Sequence, residues 1–301
     1  MPAPAVIDAA ALDAAETFVL LHARLLDRHR FAHQFRGGPG AAVVAALRPY
    51  ANADGGFGHA LECDLRGAGS QPEPVEVAVR VLAETDGGAA LADPLVAAAC
   101  GWLTSVTAAD GGVPWVLPSV VGDPRGPWWQ PEDGAPGALV PTASIVGILH
   151  AHGRAHPWLD GATAFCRDRV EAIAGDGREL DPYTARAILD LLDGVPDRDW
   201  AETTFAKVRE AILATVTFDP EAPGPVHLPI EFAPTPGGFG RRLFDDDVMD
   251  RHLDLLVASQ ADDGGWWFNW PAWTPATEHE WRGHLTVERL KLLRAHGRWS
   301  D

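Results

Sequence analysis

The sequence has little cysteine, methionine or tyrosine: 3, 2 and 2 of 301 residues. The cysteines, Cys63, Cys100 and Cys166, are odd in number and far apart, which favours reduced thiols over a disulfide framework. No apolar run reaches the roughly 18 residues of a membrane-spanning helix, and residues 1–13 lack the basic start and apolar core of a secretory signal. We therefore expect no disulfide, no membrane insertion and a cytoplasmic location.

Basic residues are also scarce, since 24 Lys and Arg stand against 42 Asp and Glu, and the formal net charge is -18. Such a surface repels phosphate backbones and anionic lipid, so nucleic acid is not an expected partner. The hydrophobic content of 47% is enough for one large core, and no Ser/Gly-rich linker or charge run divides the chain. Residues 1–301 are predicted to form a single domain.

One sequence motif, called the Asp-Gly-Gly motif here, occurs three times. A predicted helix ends in Asp-Gly-Gly, an aromatic and an irregular loop follow, and a second apolar helix begins near Thr or Glu. The three copies are Asn52–Phe57, Ala109–Gly112 with Trp115 close behind, and Gln260–Trp266. Self-similarity of this kind is typical of an array of helical hairpins.

Apolar residues at helical spacing predict about ten helices and no convincing strand. The first carries Leu12, Phe18, Leu21, Leu25 and Leu26 along one stripe. A Pro/Gly-rich stretch, 219–240, stands where one helix of a pair is expected. The fold prediction is all-α, with five or six hairpins. The predicted helices span residues 10–29, 40–50, 73–85, 94–106, 142–152, 157–173, 182–192, 199–216, 245–259 and 284–295.

Local backbone geometry explains why the Asp-Gly-Gly motif forms a turn. A helix ends readily when the next residue adopts positive φ, and two glycines allow a tight reversal while Asp accepts hydrogen bonds from nearby amides. The following aromatic is expected to fill the gap between neighbouring hairpins. The aspartates of the Asp-Gly-Gly motif are therefore predicted to be structural.

The segment Gln260-x3-Gly264-x-Trp266 resembles the core of the QW repeat of squalene-hopene type cyclases, and Asn52–Gly58 resembles the Gly-Gly-Phe-Gly turn of protein prenyltransferase β subunits. Together with the hairpin order, these segments resemble the terpenoid cyclase and protein prenyltransferase superfamily. The stretch 30–72 and the segment 281–283 also look like small, largely uncharacterised bacterial proteins labelled prenyltransferase-like. The resemblance implies an (α/α) toroid, in which each helix after a Gly-Gly turn lines a central cavity and all inner helices begin at the same end.

The acidic string Asp245–Asp250 contains the DDxxD pattern of class I terpene synthases. Those enzymes need a second metal-binding cluster, which the sequence lacks, and class II cyclases place their acid motif on an inner helix, whereas Asp245 begins an outer one. An acidic triplet is also what the first turn of a helix favours. We predict a helix cap here.

The better site candidates lie in the loops after the turns and at the first turns of the inner helices. All are expected to gather at one mouth of the toroid. The first loop offers His59, Glu62, Asp64 and Arg66 and leads to Gln71, Glu73 and Glu76; the second holds Trp128 and Trp129; the third inner helix begins near Tyr183; and the last loop holds Trp266, Trp270, Glu280, Trp281 and Arg282.

A mouth rich in Trp and carboxylates suits a small apolar or ring-bearing substrate whose chemistry needs an acid. A carboxyl group in a Trp-lined pocket favours its neutral form, so it can protonate an alkene or an ether, and aromatic faces stabilise the resulting cation. We predict acid-initiated cyclisation or isomerisation, with Glu62, Asp64 or Glu280 as the acid, Arg282 in the catalytic set, and His59, Trp128, Trp129, Tyr183, Trp266, Trp270 and Trp281 contacting substrate. The alternative is that Asp64 with Arg66, or Glu280 with Arg282, form ion pairs that hold the loops.

No metal or other cofactor is predicted. Prenyltransferase β subunits hold zinc through an Asp, a Cys two residues later and a distant His, and Cys63 between Glu62 and Asp64 breaks that spacing. His59 and Cys63 are four residues apart, but the glycines around them favour a loop over a helix face.

Two other classes stay open. Many (α/α) toroids are polysaccharide lyases or glycoside hydrolases, and 12 Trp with acid-rich loops also suit sugar rings. A non-catalytic binding scaffold is the third class, since the stretch between Val216 and Asp245 leaves room for a groove.

Overall fold

The structure is a computed structural model that describes residues 4–176, 179–222 and 226–300. Within these ranges the fold is all-α: there are twelve α-helices and no strand, only isolated β-bridges. The all-α prediction is confirmed. The helices are α1 (Ala9–His22), α2 (Leu25–Phe35), α3 (Gly40–Leu47), α4 (Pro72–Glu84), α5 (Pro94–Val106), α6 (Leu139–Ala151), α7 (Pro157–Asp176), α8 (Pro182–Gly194), α9 (Arg198–Leu213), α10 (Pro229–Phe232), α11 (Asp246–Ala258) and α12 (Pro275–Ala295).

The helices begin where Pro and Asp signals place them. Asp93 caps α5 by accepting a hydrogen bond from the Leu95 amide at 3.0 Å, and Asp181 caps α8 through the Tyr183 and Thr184 amides. Pro follows each cap as the first helical residue, where its missing N–H costs nothing. These two boundaries match the predicted ones at their amino ends.

The first predicted helix is wrong, because residues 10–29 form two helices. The chain breaks at Ala23 and Arg24, whose ψ angles of 158° and 154° are extended. A Cβ on Gly283 of α12 would lie 2.6 Å from the Ala23 Cβ, so the break coincides with a close approach of α12. Because α1 and α2 are separate helices, the five apolar residues do not lie on one helix face. Leu21 and Leu25 are instead 68% and 61% exposed.

The last predicted helix begins too late. Helix α12 starts at Pro275, so Glu278–Gly283 are helical instead of part of a loop. A capping box explains the early start: the Thr277 amide donates to Thr274 Oγ1 and the Thr274 amide donates to Thr277 Oγ1, both at 3.2 Å.

The stretch between α9 and α11 contains α10 and a 3-10 helix at Phe239–Leu243. Part of the predicted Pro/Gly-rich stretch, residues 223–225, lies outside the described residues. Of the helices that the structure describes, none is by itself long and apolar enough to cross a membrane; Pro72–Ala92 and Pro94–Val106 meet the length and composition only as a pair bent by 96°.

The residues group into two compact units, which divide after Ala42 and after Thr215. One unit is Val43–Thr215, called the middle unit here; the terminal unit comprises the residues before Val43 and after Thr215. The prediction of a single domain stays a prediction.

Within the middle unit, the helices form two layers. Helix α6 packs against α4 and α8, whereas α7 packs against α5 and α9. Helices α6 and α8 meet through glycines: a Cβ on Gly147 would lie 2.2 Å from the Asp190 carbonyl oxygen, and one on Gly194 would lie 1.9 Å from the Gly147 carbonyl oxygen. In the terminal unit, α12 packs against α1, α2 and α11.

The three Asp-Gly-Gly turns share one backbone geometry. The first glycine has φ of +94°, +95° and +90° at Gly55, Gly111 and Gly264, a region that favours glycine. In each turn the Asp carboxylate accepts a hydrogen bond from the amide of the second glycine, two residues on. The acceptors are Asp54 (2.9 Å), Asp110 (3.4 Å) and Asp263 (3.1 Å). The structural role predicted for these aspartates is confirmed.

Each turn also packs on another helix in the same way. The first glycine faces the backbone of a small residue, and the second faces an aromatic ring four residues further along that helix. The contacts are Gly55 and Gly56 on Ala98 and Trp102 of α5, Gly111 and Gly112 on Gly161 and Phe165 of α7, and Gly264 and Gly265 on Ala14 and Phe18 of α1. The sequence repeat is therefore a repeated tertiary contact.

The residue after the second glycine is buried in every turn: Phe57, Val113 and Trp266 are 1%, 0% and 0% exposed. Trp115, predicted to fill the gap in the second turn, is 40% exposed, and Val113 takes that position.

Candidate functional site

Two loops of the middle unit lie against each other. The Arg66 amide donates to the Pro124 carbonyl at 3.0 Å, and the Gly126 amide donates to the Asp64 carbonyl at 2.8 Å. Leu65 and Trp129 share a buried apolar cluster beneath them. The predicted meeting of the first and second loops is therefore observed within this unit.

The first loop has an unusual backbone. His59 and Ala60 are non-glycine residues with φ of 56° and 63°, in the left-handed region. The His59 side chain is exposed, and its Nε2 donates to Asn52 Oδ1 at 2.9 Å, since Asn52 Nδ2 donates to the Ala68 carbonyl. His59 thus secures the loop to the first turn.

The two predicted acids of this loop are both buried. Glu62 is 5% exposed and Asp64 3% exposed, and Glu62 Oε2 accepts a hydrogen bond from the Asp64 amide at 2.7 Å. The loop precedes α4, which begins at Pro72, and the Glu62 carboxyl group is close enough to act on Glu73 of that helix.

A third carboxyl group, Glu73, stands out on that first turn. The residue is half-buried, but its Oε2 is enclosed, and no residue in the described ranges donates a hydrogen bond to this oxygen. Burial, then the negative charges of Glu76 and Glu62, raise the pKa of Glu73 well above its usual range; Arg80 and Arg186 oppose this. The neutral acid is favoured. The sequence places Glu73 after the loop but does not single it out.

The neighbours of Glu73 differ from it because they are ion-paired. Arg80 donates to the carboxylates of Glu76 and Asp190, and Ser144 Oγ donates to Asp190 Oδ2 at 2.8 Å. This network joins α4, α6 and α8. It forms a polar face on these three helices beside Glu73.

Gln71 links this helix to the second loop. Its side chain, on a residue only 4% exposed, donates through Nε2 to Ser119 Oγ and accepts through Oε1 from the Leu117 amide, both at 2.8 Å. The start of α4 and the Trp-bearing loop are therefore held together two residues from Glu73.

The predicted aromatic contacts of the middle unit divide by exposure. Trp128 and Tyr183 are 37% and 57% exposed and accessible to a ligand. Trp129 is 5% exposed, and its ring centroid lies 4.7 Å from that of Trp115 with the two planes tilted by 44°, so its ring is mainly core.

In the terminal unit, two predicted site residues are structural. Trp266 is 0% exposed and its Nε1 donates to the Leu256 carbonyl at 2.9 Å, so this ring is core and not a ligand contact. Arg282 is 3% exposed; its Nη2 donates to Asp263 Oδ1 at 2.7 Å and its guanidinium lies 3.9 Å from the Trp267 ring centroid. Its ion-pair partner is the Asp of the third turn.

The remaining predicted residues of this unit lie on or beside α12. Glu280 is half-buried, and Trp270 and Trp281 meet edge to face at 5.4 Å. His284 lies 5.7 Å from Trp281.

A buried ionic cluster on α2, which the sequence did not reveal, lies next to His284. Arg24 Nε and Arg30 Nη1 donate to Asp27 at 2.8 and 2.9 Å, and Arg30 Nη1 also donates to His284 Nδ1 at 3.0 Å. Burial raises the pKa of Asp27, but Arg24, His284 and Arg30 outweigh it and hold the pKa well below its usual range. Asp27 is a stable anion, unlike Glu73.

Other predictions concern caps, thiols and metals. Asp245 caps α11 by accepting from the Val248 amide at 2.9 Å, as predicted. The three cysteines are free and buried. Among the described residues, no three His, Cys, Asp or Glu side chains are grouped to hold a metal ion.

In comparison with known proteins, no family model matches this chain. A search among curated proteins gives no match either.

Proposed function

We propose that the hairpins α1–α2, α3–α4, α5–α6, α7–α8, α9–α10 and α11–α12 close into an (α/α) toroid, as in terpenoid cyclases. The turns after α3 and α5 pack on α5 and α7, the next odd-numbered helices, and the turn after α11 packs on α1. A ring needs its last hairpin to use the first helix in this way. A solution scattering profile that fits a ring with a central cavity would support the closure.

We further propose that the protein is an acid catalyst, with Glu73 as the proton donor. The observation that carries this proposal is the enclosed Oε2 of Glu73, which has no hydrogen-bond partner among the described residues and belongs to a carboxyl group with a raised pKa. Such a group donates a proton to an alkene carbon or an ether oxygen. The charge left on Glu73 is then stabilised by Arg80 and Arg186, whose positive charges already act on it.

The proposed reaction is cyclisation or isomerisation of a small apolar, isoprenoid-like molecule. Exposed aromatic side chains, Trp128 and Trp115 on the second loop and Tyr183 on α8, provide faces for an apolar body and for a developing cation. Glu62, the buried carboxyl group whose charge raises the pKa of Glu73, is the second acid of the site.

Carbohydrate chemistry is the second candidate. The observation in its favour is the polar face beside Glu73, formed by Arg80, Ser144 and Asp190, since sugar hydroxyls need such donors and acceptors. Exposed Trp128 suits a sugar ring equally well.

The test is turnover of two substrate panels, prenyl alcohols with their diphosphates and oligosaccharides, by wild type, Glu73→Gln, Glu62→Gln and Glu280→Gln. Mass spectrometry would identify cyclic or rearranged prenyl products, and the same samples would report sugar cleavage. We expect prenyl products, a loss of about 100-fold or more in Glu73→Gln, and near wild-type rates in Glu280→Gln. Sugar cleavage alone would favour the second candidate. Turnover lost only in Glu280→Gln would contradict the assignment of the acid, and no turnover of either panel would contradict acid catalysis in favour of a scaffold.

A further inference from the structure

A cavity of about 290 Å³ lies in the middle unit, lined by residues 91–94, 96–97, 100, 149 and 153–156. It is near the amino ends of α5 and α7 and the carboxyl end of α6. Its lining residues 91 and 92 end the 3-10 segment Thr85–Ala92, which follows the carboxyl end of α4, whereas Glu73 is on the first turn of α4, a 13-residue helix of about 20 Å. The cavity is therefore separate from the proposed acid site.

The floor of this cavity is apolar. Leu91, Cys100 and Leu149 line it, and they are 2%, 1% and 1% exposed. Burial raises the pKa of the Cys100 thiol to about 11, so the sulfur stays neutral at physiological pH. The apolar part of a ligand can therefore contact Leu91, Cys100 and Leu149 without the cost of desolvating a charged group.

The rim carries the guanidinium of Arg154, which has no carboxylate partner among the described residues. Arg154 Nε is enclosed and donates to no residue in the described ranges. Arg154 Nη2 donates to the Gly88 carbonyl at 3.5 Å, the limit of a hydrogen bond. No carboxylate within the part of the chain that the structure describes pairs with Arg154.

A second donor lies on the same rim. His156 Nδ1 accepts a hydrogen bond from the Trp158 amide at 3.1 Å, so the proton of the neutral ring is on Nε2. His156 directly precedes α7, a 20-residue helix whose amino end favours negative charge.

The one carboxylate on the rim is already engaged. Asp93 Oδ1 accepts from the Leu95 amide at 3.0 Å and Asp93 Oδ2 pairs with Arg48 Nη2 at 2.6 Å. Asp93 therefore does not neutralise Arg154, and the rim offers hydrogen-bond donors to a ligand.

We propose that this cavity binds a small monocarboxylic acid with an apolar body. The planar fork of Arg154 matches a carboxylate, His156 supplies a further donor, and the apolar floor takes a branched or aromatic group. The volume is near the lower end of the range for small-molecule pockets, about 300 Å³, which limits the ligand to a short acid.

The test uses the full-length protein and isothermal titration with benzoate and isovalerate, each paired with its neutral amide. The amide has the same shape but no charge. We expect the acids to bind about tenfold or more tightly than their amides, and Arg154→Gln to remove that preference. Ala97→Trp, which places a large ring at the exposed rim, should abolish binding of all four probes. Arg209→Gln, at an exposed site on α9, is the matched control and should bind like wild type.

Circular dichroism establishes that each variant is folded. Arg154→Lys serves where Arg154→Gln does not fold; it keeps the charge without the fork and should bind the acids more weakly than wild type. Equal affinity for acids and amides, no binding by any probe, or undiminished acid binding by Arg154→Gln or by Arg154→Lys would overturn the proposal.

Discussion

Replacing Gly147 with Ala tests the packing that supports the polar face beside Glu73. The new Cβ would lie 2.2 Å from the Asp190 carbonyl oxygen and 2.9 Å from the Leu191 amide nitrogen, both backbone atoms of α8. Ordinary contact begins at about 3.4 Å, so α8 must move by on the order of 1 Å. Asp190 would move with it, away from Ser144 and Arg80.

Overpacking of this kind costs about 1–3 kcal/mol, and we expect that loss in the free energy of unfolding of Gly147→Ala. The assay is urea unfolding followed by tryptophan fluorescence, with the slope of the transition checked against wild type. Gly101→Ala is the control, because a Cβ at this exposed helical position meets nothing within 4 Å. It should stabilise the protein by about 0.5–1 kcal/mol. A Gly147→Ala protein as stable as wild type would refute the close packing of α6 on α8.

Three further predictions concern charge and capping. Because folding raises the pKa of Glu73, the free energy of unfolding of the wild type should fall as pH rises above 4.5, the ordinary pKa of Glu. Urea unfolding at a series of pH values should show Glu73→Gln to be more stable than wild type above pH 4.5 and equally stable below it. Asp27→Asn should lose about 3–5 kcal/mol of unfolding free energy at neutral pH, because Arg24 and Arg30 both lose the buried Asp27 carboxylate, although Arg30 keeps its pair with Glu288. The difference from wild type should narrow below pH 3.8, where the unfolded Asp27 carboxyl is protonated. Thr274→Ala should lose about 0.5–2 kcal/mol in the same assay, with Thr277→Ala as a comparison for the second half of the capping box; equal stability of either variant and wild type would contradict the capping account.

The local parts of the fold are predictable from the sequence. The turn at Gly111 can be predicted from Asp-Gly-Gly, because both of its features are local. Gly111 adopts a positive φ, and the Gly112 amide donates to the carboxylate of Asp110, two residues earlier. The start of α5 follows from Asp93 and Pro94 for the same reason.

The parts that depend on distant contacts are not predictable in this way. The break at Ala23 coincides with the close approach of Gly283, which is 260 positions away in the sequence. Trp266 and Trp128 both lie in loops that follow Gly-Gly turns, yet Trp266 is fully buried and donates to the Leu256 carbonyl of α11, whereas Trp128 is 37% exposed.

The candidate acid shows the same limit. Glu73 and Glu76 are visible as a pair on one helix, but the pKa of Glu73 also depends on Glu62 in the preceding loop and on Arg186 of α8. The sequence therefore locates the neighbourhood of the site, and the structure selects the carboxyl group.

The measurement that most directly tests this account is the pKa of Glu73 itself. Side-chain carboxyl resonances of 13C-labelled glutamate would be followed across a pH titration of the full chain, and the Glu73 signal would be assigned by its absence in Glu73→Gln. The account predicts that the pKa of Glu73 is well above that of the exposed glutamates. Replacing Glu62 with Gln should lower the pKa of Glu73, because the negative charge of Glu62 contributes to raising it. A Glu73 signal that titrates together with the exposed glutamates, near the ordinary value of 4.5, would contradict the assignment of this residue as the acid.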